Sequence, residues 1–238
     1  MPRGILFDKD GTLIDFNATW LPAYRPAAER ASAMAGDARL TDRLLASGGF
    51  NAATGTWQPR SLLTSASNDE IVDAWMAQAG IAEREPFASI MLDTFHEAAV
   101  TSPVCIGGIP EMMAELYAMG YTLGVATMDD ERTARDSLAR VGIDAWLSFV
   151  CGADSGHGIK PGPGMLEAFC RHTGLTPPEV IMVGDSPYDI EMGRAAGAGI
   201  VVGVTSGSHS AADLAAADHV LDDATGLLAL LTPRWASA

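Results

Sequence analysis

Cysteine is scarce in this chain: three residues in 238, Cys105, Cys151 and Cys170. None stands in a CxxC pair or beside a histidine. That spacing argues against a disulfide framework and a thiolate metal centre, and leaves reduced, mostly buried thiols. Long apolar runs are missing too; nothing approaches the ~18–20 residues that a membrane-spanning helix needs. Met1-Pro2-Arg3 leads straight into the first apolar run, so no leader peptide is expected, and the protein is expected to be cytoplasmic. Positive charge is in short supply: 15 Lys and Arg stand against 30 Asp and Glu, a formal net charge of −15. This balance argues against nucleic acid and against anionic membrane surfaces as partners. The sequence leaves the oligomeric state open.

What is present begins with Gly4-Ile5-Leu6-Phe7-Asp8-Lys9-Asp10-Gly11-Thr12. The apolar run Ile5 to Phe7 reads as a buried strand of a parallel sheet. It stops at two carboxylates spaced i, i+2 and then a glycine. In open α/β sheets the functional residues gather beyond the carboxyl ends of the strands, so Asp8 and Asp10 are delivered to that edge. Two acids this close repel each other. A hard divalent cation such as Mg²⁺, which prefers oxygen ligands, would relieve that repulsion. One carboxylate is then free to act as a nucleophile toward phosphorus, and the other to pass protons. Taken alone, the segment also fits an ordinary surface turn after a strand.

From about Phe16 to Thr101 the pattern is helical, with no convincing strand. Asn17 is placed to cap the first helix, and Pro22 and Pro26 predict that it starts late or kinks. Further helices are expected over Ala38–Ala46, Asn68–Gln78 and Glu85–Val100, with a loop from Phe50 to Arg60. After Pro103, strands and helices alternate. Strands are expected at Tyr121–Ala126, Trp146–Val150, Val180–Val183, Ile200–Val204 and His219–Leu221. Helices are expected at Ile109–Met119, Asp130–Arg140, Gly162–Thr173, Pro187–Ala196, Ala211–Ala217 and Ala224–Leu231. The reading is α/β: a doubly wound, parallel, Rossmann-like core with an inserted all-helical domain. Residues 1–15 supply the first core strand and motif, 16–101 the insert, and 102–238 the rest of the core.

Three later segments carry further chemistry. The strand ending at Ala126 runs into Thr127-Met128-Asp129, where a hydroxyl and the following backbone N–H groups, Met128 first, suit a phosphate oxygen. Gly158-Ile159-Lys160-Pro161-Gly162-Pro163-Gly164 holds one lysine in a loop stiffened by proline, in a chain with few lysines. Val180 to Val183 ends in Gly184-Asp185-Ser186-Pro187-Tyr188-Asp189, a second strand-end carboxylate with another at i+4. Asp185 is placed to complete a Mg²⁺ site with Asp8, and Asp189 to support it by bonding metal water or Lys160. Ordinary roles stay open for each: an N-cap for Thr127, a solvated surface for Lys160, and a favourable helix-dipole position for Asp189.

Together and in this order, the four segments resemble the haloacid dehalogenase superfamily, whose phosphatases carry hhhDxDGT, a strand-end Ser/Thr, a Lys and GDxxxD. The insertion directly after the first motif is similar to the helical, C1-type cap of the phosphoglycolate phosphatase-like subgroup. Thr12-Leu13-Ile14-Asp15 fits that subgroup, although Phe16 stands where a small polar residue is frequent. The resemblance implies a Mg²⁺-dependent phosphomonoesterase acting on a small phosphorylated metabolite, phosphoglycolate first among them. Asp8 is then the nucleophile, forming an aspartyl-phosphate. Asp10 is the general acid and later the base. Asp8, the Asp10 backbone carbonyl and Asp185 bind Mg²⁺, and Thr127 and Lys160 hold the phosphoryl oxygens.

The insert would close over the site and select the leaving group. Its candidate selectors are Phe16, Asn17 and Trp20, with Arg25 and Arg60 as partners for a substrate carboxylate. Either arginine also fits a plain surface position, and Trp20 also fits the insert's own core. The same motifs suit a phosphotransferase or sugar phosphomutase. A catalytically silent binding protein on the fold is a further alternative, since fold does not fix function.

Overall fold

The computed structural model of the chain describes residues 2–232; Met1 and the end of the expected core segment, 233–238, lie outside it. Strands β1 (Gly4–Phe7), β4 (Thr122–Ala126), β5 (Leu147–Cys151), β6 (Val180–Gly184), β7 (Ile200–Val204) and β8 (His219–Leu221) form a six-stranded parallel sheet in the order β5-β4-β1-β6-β7-β8. β1 lies at the centre, with Leu6 opposite Gly124 on one side and Met182 on the other. The chain builds outward from β1 through β4 to β5, then returns to the other flank for β6. The carboxyl ends of β1, β4 and β6 therefore meet where the winding reverses, the usual crevice of such sheets.

Both faces of the sheet are buried, which is why these strands are nearly continuous apolar runs. Alternate residues go to opposite sides. Ile5, Phe7, Leu123, Val125, Ile181 and Val183 pack with α6 (Ile109–Ala118) and α7 (Glu131–Arg140). Leu6, Ala126 and Met182 pack with α8 (Gly164–Thr173) and α9 (Pro187–Ala196).

Between β1 and α6 lies an insert with its own apolar cluster, built on Trp20, Tyr24, Trp75, Phe87 and Phe95. Its helices are α1 (Phe16–Ala35), α2 (Leu40–Ser47), α3 (Leu62–Ser65), α4 (Asn68–Ala79) and α5 (Arg84–Thr101). Three expectations change here. The cap of α1 is Asp15, whose carboxylate accepts from the Ala18 N–H at 2.9 Å, and not Asn17. α1 also runs unbroken through Pro22 and Pro26. Both prolines face solvent, where the carbonyls they leave unpaired meet water, while Ala23, Tyr24, Ala27, Ala28 and Ala31 hold the buried face. The insert is not purely helical: β2 (Phe50–Asn51) and β3 (Thr56–Trp57) form a small hairpin where a loop was expected. Two-residue strands carry too little pattern to be read from sequence.

The two crossings between core and insert run side by side. Ile14 pairs antiparallel with Cys105, the Asp15 N–H donates to the Val104 carbonyl at 2.8 Å, and the Ile106 N–H donates to Leu13 at 3.0 Å. Farther along, Ala211–Ala217 is a chain of turns and not the expected helix. Asp213 is drawn back to the Ser210 N–H at 2.9 Å, and Ala217 bonds Leu214, three residues away. The last expected helix begins as a 3₁₀ turn, Ala224–Gly226, before α10 (Leu227–Leu231). No helix among the described residues is long and apolar enough to cross a membrane.

Phe169 of α8 lies under the sheet where Gly124 leaves room; a Cβ there would come within 2.7 Å of the ring. Gly124→Val is expected to lower unfolding stability by about 1–3 kcal/mol through overpacking. A lower urea midpoint at unchanged m-value checks this.

Candidate functional site

At the switch point, the sheet-end segments send their side chains to a common cavity of ≈ 60 Å³. β1 delivers Asp8 and Asp10, β4 delivers Thr127 and Met128, the loop before α8 delivers Lys160, and β6 with the start of α9 delivers Asp185 and Asp189. From the insert, Phe16, Trp20, Tyr24, Ser65 and Asn68 close the opposite wall.

The electrostatic centre is the Lys160 ammonium. It donates to Asp8 Oδ1 at 2.5 Å and to Asp189 Oδ1 at 2.6 Å, and all three side chains are buried. Burial alone would lower the lysine's pKa, but Asp189 and Asp8 outweigh it and push the pKa up. Asp189 is fixed in turn by the N-terminus of α9, its Oδ2 accepting from the Ser186 hydroxyl at 2.6 Å and the Ser186 N–H at 3.0 Å. This is a capping box in which the Ser186 side chain also accepts from the Asp189 N–H.

Asp185 completes the acidic group: oxygens of Asp8, Asp185 and Asp189 lie within 4.8 Å of one another. Burial raises the Asp8 pKa well above the ordinary carboxylate range, Lys160 opposes the rise, and Asp189 and Asp185 add to it. Burial likewise raises Asp185, against the pull of His209, whose Nδ1 lies 3.9 Å from Asp185 Oδ2. Three carboxylates against one ammonium leave two negative charges uncompensated in a buried site. An all-oxygen donor set of that charge fits a hard divalent cation. Asp185 also sits in a backbone cradle, since a Cβ on Gly207 would fall 1.8 Å from its Oδ2 and one on Gly11 2.8 Å from it.

Asp10 lines the same cavity but stands outside this acidic group. Its Oδ1 accepts from the Trp20 indole N–H at 2.7 Å, and its Oδ2 pairs with Lys9 at 2.8 Å. Lys9 is fully buried and also donates to Asp129 Oδ2 at 2.9 Å. Asp129 Oδ1 accepts from the Asn68 amide of the insert at 2.7 Å. Burial would strip the proton from Lys9, but Asp10 and Asp129 reverse that and raise its pKa. Thr127 Oγ1 accepts from the Asp129 N–H at 3.1 Å, an arrangement that holds the β4 turn.

Lys9, Asn68, Asp129 and His209 had no site role in the sequence reading. A signal existed for Lys9: the chain has only two lysines, Lys9 and Lys160, and both are buried here. Of the expected selectors, Phe16 and Trp20 line the cavity, whereas Asn17 is exposed outside it. Arg25 faces Asp42 at 3.5 Å on a separate cleft of the insert. Arg60 stands over the Tyr188 ring, 3.8 Å from Glu191. It lines an adjoining cleft that shares Ser65, Ala66, Met128, Lys160 and Tyr188 with the site cavity.

Residues 2–197 match the family model of the haloacid dehalogenase-like hydrolases. The chain belongs to this family of enzymes. It is 31% identical to a phosphoglycolate phosphatase of Vibrio vulnificus (strain CMCP6) over 226 residues, covering 94% of this chain and 93% of that protein. It is 28% identical to an N-acetylmuramic acid 6-phosphate phosphatase of Pseudomonas aeruginosa (strain PAO1), over 82% of this chain and 78% of that protein. Among solved structures, a predicted phosphoglycolate phosphatase from Haemophilus somnus 129pt superposes with a TM-score of 0.72 at 25% identity, covering 97% of this chain and 98% of that one.

Asp130, at the start of α7, accepts from Asn68 at 3.0 Å, and burial foremost, with Asp129, raises its pKa to about 6. Its pKa in the unfolded chain is about 4, so the folded state binds the extra proton between those values. Below about pH 4 both states are protonated and the group costs nothing; the penalty grows as pH rises through 4 to 6. Asp130→Asn keeps the acceptor and removes the charge. Allowing for partial exposure, it is expected to add about 1 kcal/mol of stability at pH 7. Denaturant unfolding as a function of pH checks this: the gain is to vanish below about pH 4.

Proposed function

We propose that this protein is a Mg²⁺-dependent phosphomonoesterase that hydrolyses a small phosphorylated metabolite through an aspartyl-phosphate on Asp8, with phosphoglycolate the leading substrate. The observation that carries the reading is the meeting of Asp8, Asp185 and Lys160 beside Thr127 and the Met128 backbone in one buried cavity. Family membership and relatives named as phosphatases support it. A cavity of ≈ 60 Å³ holds only a few water molecules and favours a small leaving group. Arg60, in the adjoining cleft, is the selector best placed for a substrate carboxylate.

Asp8 and Asp185, with the Asp10 carbonyl, would hold Mg²⁺. Bound there, it supplies charge neutralisation for the phosphoryl oxygens and keeps Asp8 ionised beside its acidic neighbours. Asp8 attacks phosphorus, forming an Oδ–P bond as the ester P–O bond breaks. Asp10 gives its proton to the departing oxygen. Water then attacks phosphorus, Asp10 takes a proton from it, and the Oδ–P bond breaks to free phosphate and Asp8. Lys160, Thr127 and the Met128 N–H hold the phosphoryl oxygens in line, so positioning and electrostatics do most of the catalysis. Asp189 keeps the Lys160 ammonium aimed at Asp8. The insert 16–101 acts as a cap that excludes water during the transfer.

Asp8→Asn is expected to lower kcat by at least about 10³-fold on phosphoglycolate with the fold intact. Excess EDTA is expected to abolish turnover, and added Mg²⁺ to restore it. A steady-state phosphate-release assay checks both; an active Asp8→Asn enzyme overturns the nucleophile, and full rate in EDTA overturns the metal.

A further inference from the structure

Lys9 carries a full charge into the interior with no contact to the Lys160 cluster, and none of the steps above uses it. Its ammonium joins Asp10 to Asp129 at 2.8 and 2.9 Å. Two more donors reach this trio from the cap: the Trp20 indole of α1 on Asp10 Oδ1, and the Asn68 amide of α4 on Asp129 Oδ1. Each Asp10 oxygen therefore has one fixed donor, one from the core and one from the cap. A carboxyl gripped at both oxygens cannot turn about its Cβ–Cγ bond, so the lone pairs left over keep a constant direction. Lys9 is equally immobile, because it is 0% exposed and anchored on Asp129.

We infer that Lys9, Trp20 and Asn68 form a clasp between core and cap that orients the Asp10 carboxyl for proton exchange with the leaving-group oxygen, so that Asp10 is productive only while the cap is seated. This rests on the phosphatase reading above and adds three positioning residues to it. The clasp links substrate enclosure to acid catalysis. With the cap lifted, Trp20 and Asn68 leave, and Asp10 loses the donor that sets its plane. Lys9 does not line the cavity, so its effect on turnover runs through Asp10 and Asp129 and not through contact with substrate.

The test compares ethyl phosphate with its mono-, di- and trifluorinated analogues, which vary the leaving alcohol's acidity at nearly constant size. An ester with a poor leaving group depends on a well-placed acid; one with a good leaving group depends on it less. Relative to wild type, Trp20→Phe and Lys9→Met are each expected to raise the trifluoroethyl-to-ethyl ratio of kcat/KM by about tenfold or more, with the loss mainly in kcat. Trp20→Phe keeps an aromatic ring in the insert's core while removing the N–H donor and part of the indole's bulk, so it reports even where Lys9→Met fails to fold. An equal loss on every ester, or no loss on any, overturns the clasp while leaving the phosphatase reading in place. Absence of hydrolysis of phosphoglycolate and of all these esters by wild type overturns both.

Discussion

The Lys160 ammonium lies between Asp8 and Asp189 with all three side chains out of solvent. Removing such charges from water costs several kcal/mol per ion unless each finds a partner of opposite sign in good geometry. The fold meets that condition from three separate stretches of chain. β1 brings Asp8, the loop before α8 brings the lysine, and the first turn of α9 brings Asp189, already held by Ser186. If any one of these shifted by an ångström or two, a buried charge would stand alone. The parallel sheet, with its strand ends in register at one edge, is the frame that keeps them together.

The other lysine, Lys9, follows Asp8 directly in the sequence and repeats this logic, with Asp10 and Asp129 as its partners. An anionic protein has thus placed both of its lysines inside, while the arginines among the described residues stand at the surface. A formal charge of −15 describes how the molecule meets other macromolecules, whereas Lys160, the lysine that lines the cavity, is the group there that faces an anion.

Much of the core was legible because parallel strands buried on both faces are apolar runs, and here most end in Gly, Asp or Thr. β1, β4, β6 and β7 announce themselves in this way, and the motifs can be placed at one edge by their position after those runs. The insert was less legible. Pro22 and Pro26 look like breaks in α1, but tertiary packing of its alanine face and exposure of the prolines override local propensity. The β2–β3 hairpin is too short to show a period. Ala211–Ala217 has helix-forming residues, yet Ser210 and Asp213 close a local turn first. Side-chain partnerships across more than 50 residues, such as Asn68 with Asp129, have no local signature at all.

The paired crossings at Ile14 and Cys105 carry an evolutionary consequence. Since the chain leaves and re-enters the sheet domain at neighbouring points, the 90 residues between Ile14 and Cys105 occupy one doorway, and no core strand depends on what passes through it. Such an arrangement lets lineages exchange or redesign the outer module wholesale, changing which molecules are admitted, while the chemistry at the threshold stays as it was.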